Sequence, residues 1–140
     1  MSRARLLLGF WAAAALAGCS SDSTGNSTNP PAGGGNVPAN GVSIVLGAQN
    51  KGTAAFNPNP RTISLASATG GVVKWINNDE SSSVYGGTGV THNITADDGS
   101  FTSGNLPPSN TFEHIFTVAG SYPYHCSIHP TMKGTVTVTP

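Results

Sequence analysis

The chain has 140 residues, and its six lysines and arginines balance six aspartates and glutamates, so its formal net charge is zero. A chain of this length has room for one domain with flanking segments, but not for two domains of ordinary size. The even charge balance excludes the basic surface that binding to nucleic acid, or electrostatic binding to an anionic membrane, would need.

The first 18 residues have the pattern of an export signal. Arg3 and Arg5 precede an apolar run from Leu6 to Ala17, which is shorter than the roughly 20 residues of a membrane-spanning helix. The run ends in LAGC, which resembles a bacterial lipobox and implies cleavage before Cys19 and acylation of its thiol. We therefore expect an exported protein that is lipid-anchored through Cys19 and faces the periplasm or the cell exterior. An ordinary secretory signal is the alternative.

Residues 19–40 follow the signal and are predicted to be a lipidated cysteine and a flexible tether. Ser, Asn, Gly and Pro dominate this segment, and Val37 is its only large apolar side chain. Such a composition cannot bury enough apolar surface to offset the entropy of ordering the chain. Residues 41–140 are then left as a single domain.

That domain has the pattern of an all-β fold. Glycine and proline interrupt it about every eight to twelve residues, and the runs between them are rich in Val, Ile, Thr and aromatic residues, without helical periodicity. The predicted strands are Val42 to Ala48, Thr62 to Ala66, Val72 to Asn77, Thr91 to Ala96, Thr111 to Val118, Ser121 to Cys126 and Gly134 to Thr139. Seven or eight such strands predict a Greek-key sandwich of two sheets.

Strand alternation assigns several aromatic residues to faces. Val73 and Trp75 share one face of their strand, where a Trp is expected in the core because of its large apolar area. In TFEHIFTV, alternate residues share a face, and we expect these to be Phe112, His114, Phe116 and Val118.

Cys126 is the only thiol left if Cys19 is acylated. An unpaired thiol in an exported protein is expected to be buried and inert or bound to metal. Within CSIHPTM, His129 follows Cys126 by three residues and Met132 follows His129 by three. A thiolate, imidazoles and a weak thioether suit copper that alternates between Cu(I) and Cu(II), whereas zinc prefers four comparable ligands.

A second imidazole for this metal would come from elsewhere in the chain. His125 neighbours Cys126 on a predicted strand and therefore points to the opposite face. His114 lies mid-strand between two phenylalanines and is expected to be a core or edge residue. His92, which follows a glycine-rich stretch, is the remaining candidate.

The segment SYPYHCSIHPTMKGTVTV, together with the tripeptide THN at residues 91–93 and VVKWINND at 72–79, resembles the cupredoxin family, most closely its plastocyanin and amicyanin branch. The resemblance implies one type 1 copper bound by His92, Cys126, His129 and Met132, with Asn93 linking the two ligand loops. It also implies a monomeric electron carrier that is not an enzyme and that exchanges electrons with redox partner proteins of unidentified kind.

Two features depart from the family pattern. The segment ESSSVYGGTGVT at residues 80–91 is longer than the turn usual there. Ile128 occupies a position where close relatives often have proline, and unlike proline it keeps an N–H that could donate to the Cys126 sulfur. We expect such a bond to raise the reduction potential.

Other functions remain open at this stage. A copper oxidase or nitrite reductase would need a second copper centre, for which only His114 and His125 are left. A Cys-His nucleophile enzyme lacks an orienting residue and an oxyanion site at any suitable spacing. A copper-trafficking or resistance protein is the main alternative, although such carriers tend to be rich in Met or His. A purely structural sandwich would leave the Cys, His and Met spacing unexplained.

Overall fold

The computed structural model of the chain describes residues 37–80 and 89–140. The predicted signal peptide, Cys19 and most of the predicted tether lie outside these ranges, as do residues 81–88 of the long loop. Within the described ranges, no helix is both long and apolar enough to span a membrane.

Short β-strands follow the Val-, Ile- and Thr-rich runs that turn residues separate. The strands are β1 (Gly41–Ile44), β2 (Phe56–Asn57), β3 (Arg61–Ser64), β4 (Val72–Asn77), β5 (Thr95–Ala96), β6 (Thr111–Ile115), β7 (Gly120–His125) and β8 (Lys133–Thr139). Two short 3₁₀ turns, Ala48–Asn50 and Gly52–Ala55, connect β1 to β2.

The eight strands form two mixed sheets with the orders β2–β1–β4–β6 and β3–β8–β7–β5. In the first sheet β1 is parallel to β4, and in the second β3 is parallel to β8, whereas the other neighbours are antiparallel. The prediction of an all-β sandwich of two sheets is confirmed.

The core lies between the sheets and is centred on Trp75, whose side chain is fully buried. Its ring contacts those of Phe101, Phe112 and Tyr124 at centroid distances of 5.9, 5.7 and 5.5 Å. Val73 is also fully buried, as expected from its position two residues before Trp75 on β4. The predicted core face of β4 is therefore confirmed.

Five predicted strands end earlier or start later than expected, and the largest differences are in β1, β5 and β6. β1 ends at Ile44 rather than Ala48, because Gly47 adopts a positive φ of 69° and leads into a 3₁₀ turn. β6 ends at Ile115, since the chain then crosses from the first sheet to the second. Val118 lies in that crossing and is 62% exposed, whereas Phe116 is buried, so the alternation expected in TFEHIFTV does not extend to Val118.

The predicted strand Thr91 to Ala96 is reduced to Thr95–Ala96, and His92 forms only an isolated bridge with Leu106. The ladder is interrupted because the amide of Ile94 donates to the hydroxyl of Ser103 at 2.9 Å rather than to a strand carbonyl. His92 is therefore held in an irregular segment by two backbone bonds to Leu106, of 3.2 and 2.8 Å.

Candidate metal centre

The loop between β7 and β8 folds into two successive turns. The amide of His129 donates to the carbonyl of Cys126 at 3.2 Å, and the amide of Met132 donates to that of His129 at 2.9 Å. The amide of Cys126 in turn donates to the carbonyl of Met132 at 3.2 Å and closes the loop. Cys126 and Met132 are fully buried at its base, whereas His129 is half-buried at its rim.

His92 lies in the irregular segment before β5, close to this loop, and its side chain is fully buried. Its Nδ1 atom lies 3.9 Å from the Sγ atom of Cys126 and 3.2 Å from the Nδ1 atom of His129. The distance from Sγ of Cys126 to Nδ1 of His129 is 3.7 Å. The structure thus brings three of the four predicted ligands together, with their donor atoms within 4.8 Å of one another.

This group of donors can be tested against the geometry of a metal site. Bond lengths of about 2.0–2.1 Å to imidazole nitrogen and about 2.3 Å to thiolate sulfur would put the donors of a trigonal site about 3.5–3.8 Å apart. The three observed separations lie within a few tenths of an ångström of that range. The donors are soft or borderline and suit a metal such as copper. Met132, the predicted fourth ligand, lies at the end of the same loop.

Asn93 joins the two segments that carry these residues. Its side-chain Nδ2 donates to the hydroxyl of Ser127 at 2.6 Å, and its Oδ1 accepts from the amide of Ser127 at 2.7 Å. Asn93 follows His92 and Ser127 follows Cys126, so these two hydrogen bonds hold the segments of His92 and Cys126 together. They do not depend on a bound metal.

The sulfur of Cys126 accepts a hydrogen bond from the backbone amide of Asn93 at 3.4 Å. Within the part of the chain that the structure describes, the backbone amide of Ile128 donates no hydrogen bond to this sulfur. Ile128 itself is 45% exposed. The expected hydrogen bond from the residue 128 amide to the sulfur is therefore not found in this structure.

The Cys126 thiol and the His92 imidazole shift each other's pKa. Burial raises the pKa of Cys126, but hydrogen bonds with His92, with the amide of Asn93 and with His129 outweigh it and lower that pKa to about 6. Burial lowers the pKa of His92, but its hydrogen bonds with Cys126 and Asp79 leave that pKa raised. The centre therefore favours the thiolate, which is the form that binds metal.

The two remaining histidines lie apart from this group. His114, on β6, stacks on Phe101 with a centroid distance of 4.4 Å, and burial lowers the pKa of its imidazole. His125, on β7, points away from Cys126 and pairs with the partly exposed carboxylate of Asp97. These placements agree with the sequence interpretation of both residues.

Sequence reasoning missed Asp79. This carboxylate is almost completely buried, and its Oδ2 atom lies 2.8 Å from Nε2 of His92. The only local signal was an acidic residue two positions after a strand whose side chains are alternately buried, and nothing in the spacing of Asp79 and His92 indicated that the two would meet.

Comparison with known proteins identifies the fold and the family. The sequence matches no known protein-family profile and no curated protein. Among solved structures, it is similar to a purple cupredoxin from Nitrosopumilus maritimus, with 30% identity over 71% of this chain and 98% of that protein, and a TM-score of 0.56. The chain belongs to the cupredoxin family.

Two further structures resemble this cupredoxin. A copper-containing nitrite reductase from Thermus scotoductus is 26% identical over 71% of this chain, with a TM-score of 0.53, but the match covers only 22% of the reductase. A mutant of amicyanin in its reduced Cu(I) form is 21% identical over 77% of this chain and 86% of amicyanin, with a TM-score of 0.50, and supports the fold alone.

Proposed function

We propose that this cupredoxin is an electron carrier with a single type 1 copper held by His92, Cys126 and His129, and more weakly by Met132. The observation that carries the proposal is the group of three donor atoms within 4.8 Å of one another. When bound, the copper supplies a centre that alternates between Cu(I) and Cu(II).

Rigid ligands favour this role, because electron transfer is efficient when little rearrangement accompanies a change of oxidation state. The two ligand segments are already cross-linked by the Asn93 and Ser127 bonds. The backbone bonds between His92 and Leu106 hold the other side of the centre. The protein therefore supports the donors in one arrangement.

The two imidazoles differ in their access to solvent. His92 is fully buried, whereas His129 is half-buried on the loop between β7 and β8. We therefore assign His129 as the edge through which electrons pass to and from redox partner proteins. The carrier works as a monomer in this proposal.

Two competing functions find less support. A copper enzyme with a second centre would draw on His114 and His125, which lie on strands of different sheets and in separate environments. A copper-trafficking protein would release its metal readily, whereas the thiol and one imidazole are fully buried here. We propose that the protein is not an enzyme and that it relays electrons.

The proposed location rests on the sequence of the first 19 residues. An export signal that ends in LAGC supports cleavage, acylation of Cys19 and attachment to a bacterial membrane, with the domain on its outer side. The redox partners would then also act in the periplasm or at the cell surface.

Addition of Cu(II) to the purified domain, followed by visible and electron paramagnetic resonance spectra and by voltammetry, tests this function. We expect one copper per chain, an intense thiolate-to-copper charge-transfer band and a reversible one-electron wave. Copper bound without colour and passed readily to a chelator would instead support trafficking.

Substitution of the thiol tests the ligand assignment. We expect Cys126→Ser to abolish the charge-transfer band completely, because the hydroxyl cannot replace the thiolate as the electron-rich donor. His125→Gln is the matched control, since it alters the adjacent residue, whose side chain pairs with Asp97 and not with the centre. A blue Cys126→Ser protein, or a colourless control, would contradict the assignment.

A further inference from the structure

Asp79 is a buried carboxylate next to the proposed copper ligands. Only 2% of its surface is exposed. Its Oδ1 atom accepts from the amide of Gly47 at 2.7 Å, and its Oδ2 atom accepts from the amide of Ala48 at 3.1 Å and lies 2.8 Å from Nε2 of His92. A buried carboxylate is tolerated only when donors of this kind satisfy its oxygens.

The contact between Asp79 and His92 determines which nitrogen of the imidazole carries a proton. An ionised carboxylate can only accept hydrogen bonds. Both oxygens of Asp79 already accept from backbone amides, so the arrangement that fits this contact has the carboxylate as acceptor and Nε2, 2.8 Å from Oδ2, as donor. In a neutral imidazole Nδ1 is then unprotonated, and Nδ1 is the atom that faces Cys126 and His129.

Hydrogen bonds of the neighbouring backbone hold Asp79 in this position. The amide of Asp79 donates to Oδ1 of Asn77 at 3.0 Å, and its carbonyl accepts from the amide of Val90 at 3.0 Å. Nδ2 of Asn77 donates to the carbonyls of Val90 and Leu106, both at 2.8 Å. Leu106 is also the backbone partner of His92, so the carboxylate and the imidazole are held by one network.

We propose that Asp79 is a positioning residue for the metal centre: it holds His92 with Nδ1 towards the metal and places a negative charge one hydrogen bond from a ligand. A carboxylate bonded to the remote nitrogen of a ligating imidazole makes that ligand more basic. The charge stabilises the oxidised metal more than the reduced one and therefore lowers the reduction potential. The effect on the potential rests on the proposed copper function, whereas the orientation of His92 does not.

A purely structural role is the alternative, in which Asp79 only satisfies the amides of Gly47 and Ala48 at the 3₁₀ turn that follows β1. That role would affect stability but would require neither a proton on Nε2 of His92 nor any influence on the potential. The two roles therefore differ in measurable properties other than stability.

The first test uses the metal-free wild-type protein and needs no substitution. Nitrogen NMR of the isotope-labelled protein at alkaline pH, where the imidazole is neutral, identifies the protonated nitrogen of each histidine. We expect His92 to carry its proton on Nε2, with slow exchange against solvent because the group is buried. A proton on Nδ1 of His92, or rapid exchange at Nε2, would overturn the proposal.

The second test compares Asp79→Asn with Asp97→Asn in the copper-loaded protein. Both substitutions remove the charge from a carboxylate that pairs with a histidine, but only Asp79 pairs with a proposed ligand. We expect Asp79→Asn to shift the equilibrium towards the reduced form at least tenfold, which is about 59 mV for one electron. The control should leave the potential unchanged, because its pair is partly exposed.

The outcomes separate this inference from the proposed function. An unchanged potential in a folded, blue Asp79→Asn protein would overturn the proposed charge effect. If that variant does not fold, the NMR measurement on the wild type still decides whether Asp79 positions His92. Failure of the wild type to bind copper would contradict the proposed function, and the NMR result would remain valid.

Discussion

At the scale of single residues, Cys126 combines burial with an ionised state. Burial by itself raises the pKa of a thiol, but here hydrogen bonds with His92, with the amide of Asn93 and with His129 lower it to about 6. Free cysteine has a pKa of about 8.5. The metal-free protein therefore holds mostly thiolate at neutral pH, and little free energy is needed to deprotonate the ligand when a metal binds.

We expect the ultraviolet thiolate absorbance of the metal-free protein to titrate with a midpoint near pH 6. The pKa of this group is lower in the folded than in the unfolded chain. Its contribution to stability is therefore complete above about pH 8.5 and is lost as the pH falls through about 6. Cys126→Ser should lack both the absorbance change and this part of the pH dependence in urea unfolding. A midpoint near 8.5 would show that the hydrogen bonds do not stabilise the thiolate.

At the scale of secondary-structure elements, the pair β7–β8 carries the loop with three of the proposed ligands. Tyr124 on β7 lies directly opposite Gly134 on β8. A Cβ atom at Gly134 would clash with the ring of Tyr124, so only a residue without a side chain lets that ring lie over β8 at this position. The ring then packs against Phe56 at a centroid distance of 4.9 Å. This close approach joins the strand that leads into the loop to the core.

We expect Gly134→Ala to lower the free energy of unfolding by about 1–3 kcal/mol, because the added methyl group would displace the buried ring of Tyr124. Gly120→Ala is the matched control on the same strand pair. Its Cβ atom would lie 3.5 Å from the ring of Tyr122, an ordinary contact, and we expect a change within about 0.5 kcal/mol. Urea unfolding of the metal-free proteins measures both. Equal decreases in the free energy of unfolding of the two variants would show that the close contact between residue 134 and Tyr124 does not destabilise the fold.

At the scale of the whole molecule, the chain reaches the sandwich at the end remote from the metal centre. Gly41, at the start of β1, pairs with Lys74, whereas Ile44, at its end, pairs with Asn77. Asn77 belongs to the network around Asp79 and His92. The chain that precedes Gly41 therefore enters the domain at the end of β1 opposite the one that leads to this network.

We expect the full-length wild type to be acylated and to fractionate with membranes, and Cys19→Ser to appear in the soluble fraction without its acyl chains. Several acyl chains on one residue hold a protein firmly, whereas the variant has no such attachment. The soluble variant should bind copper as the wild type does, because its metal centre is unchanged. Mass spectrometry and cell fractionation measure the two properties, and equal solubility of both proteins would exclude the anchor.

The fold class and the metal loop followed from the sequence because both depend on local patterns. Alternating residues in β4 place Val73 and Trp75 on one face wherever the strand packs. Cys126, His129 and Met132 lie within one seven-residue segment, and two turns are enough to fold it. The strand between residues 91 and 96 was predicted too long, since the alternation could not show that the hydroxyl of Ser103 would take the amide of Ile94.

Only the tertiary structure decided which groups surround the donors. Asp79 and His92 are 13 residues apart in the chain, Asp79 and Gly47 are 32 apart, and Asn93 and Cys126 are 33 apart. No periodicity links positions at such separations, and their approach depends on how the ends of the two sheets pack. For the same reason the amide of Asn93, rather than that of Ile128, reaches the sulfur. Local chemistry selects residues that can bind a metal, whereas packing between distant segments decides which charges and hydrogen bonds act on them.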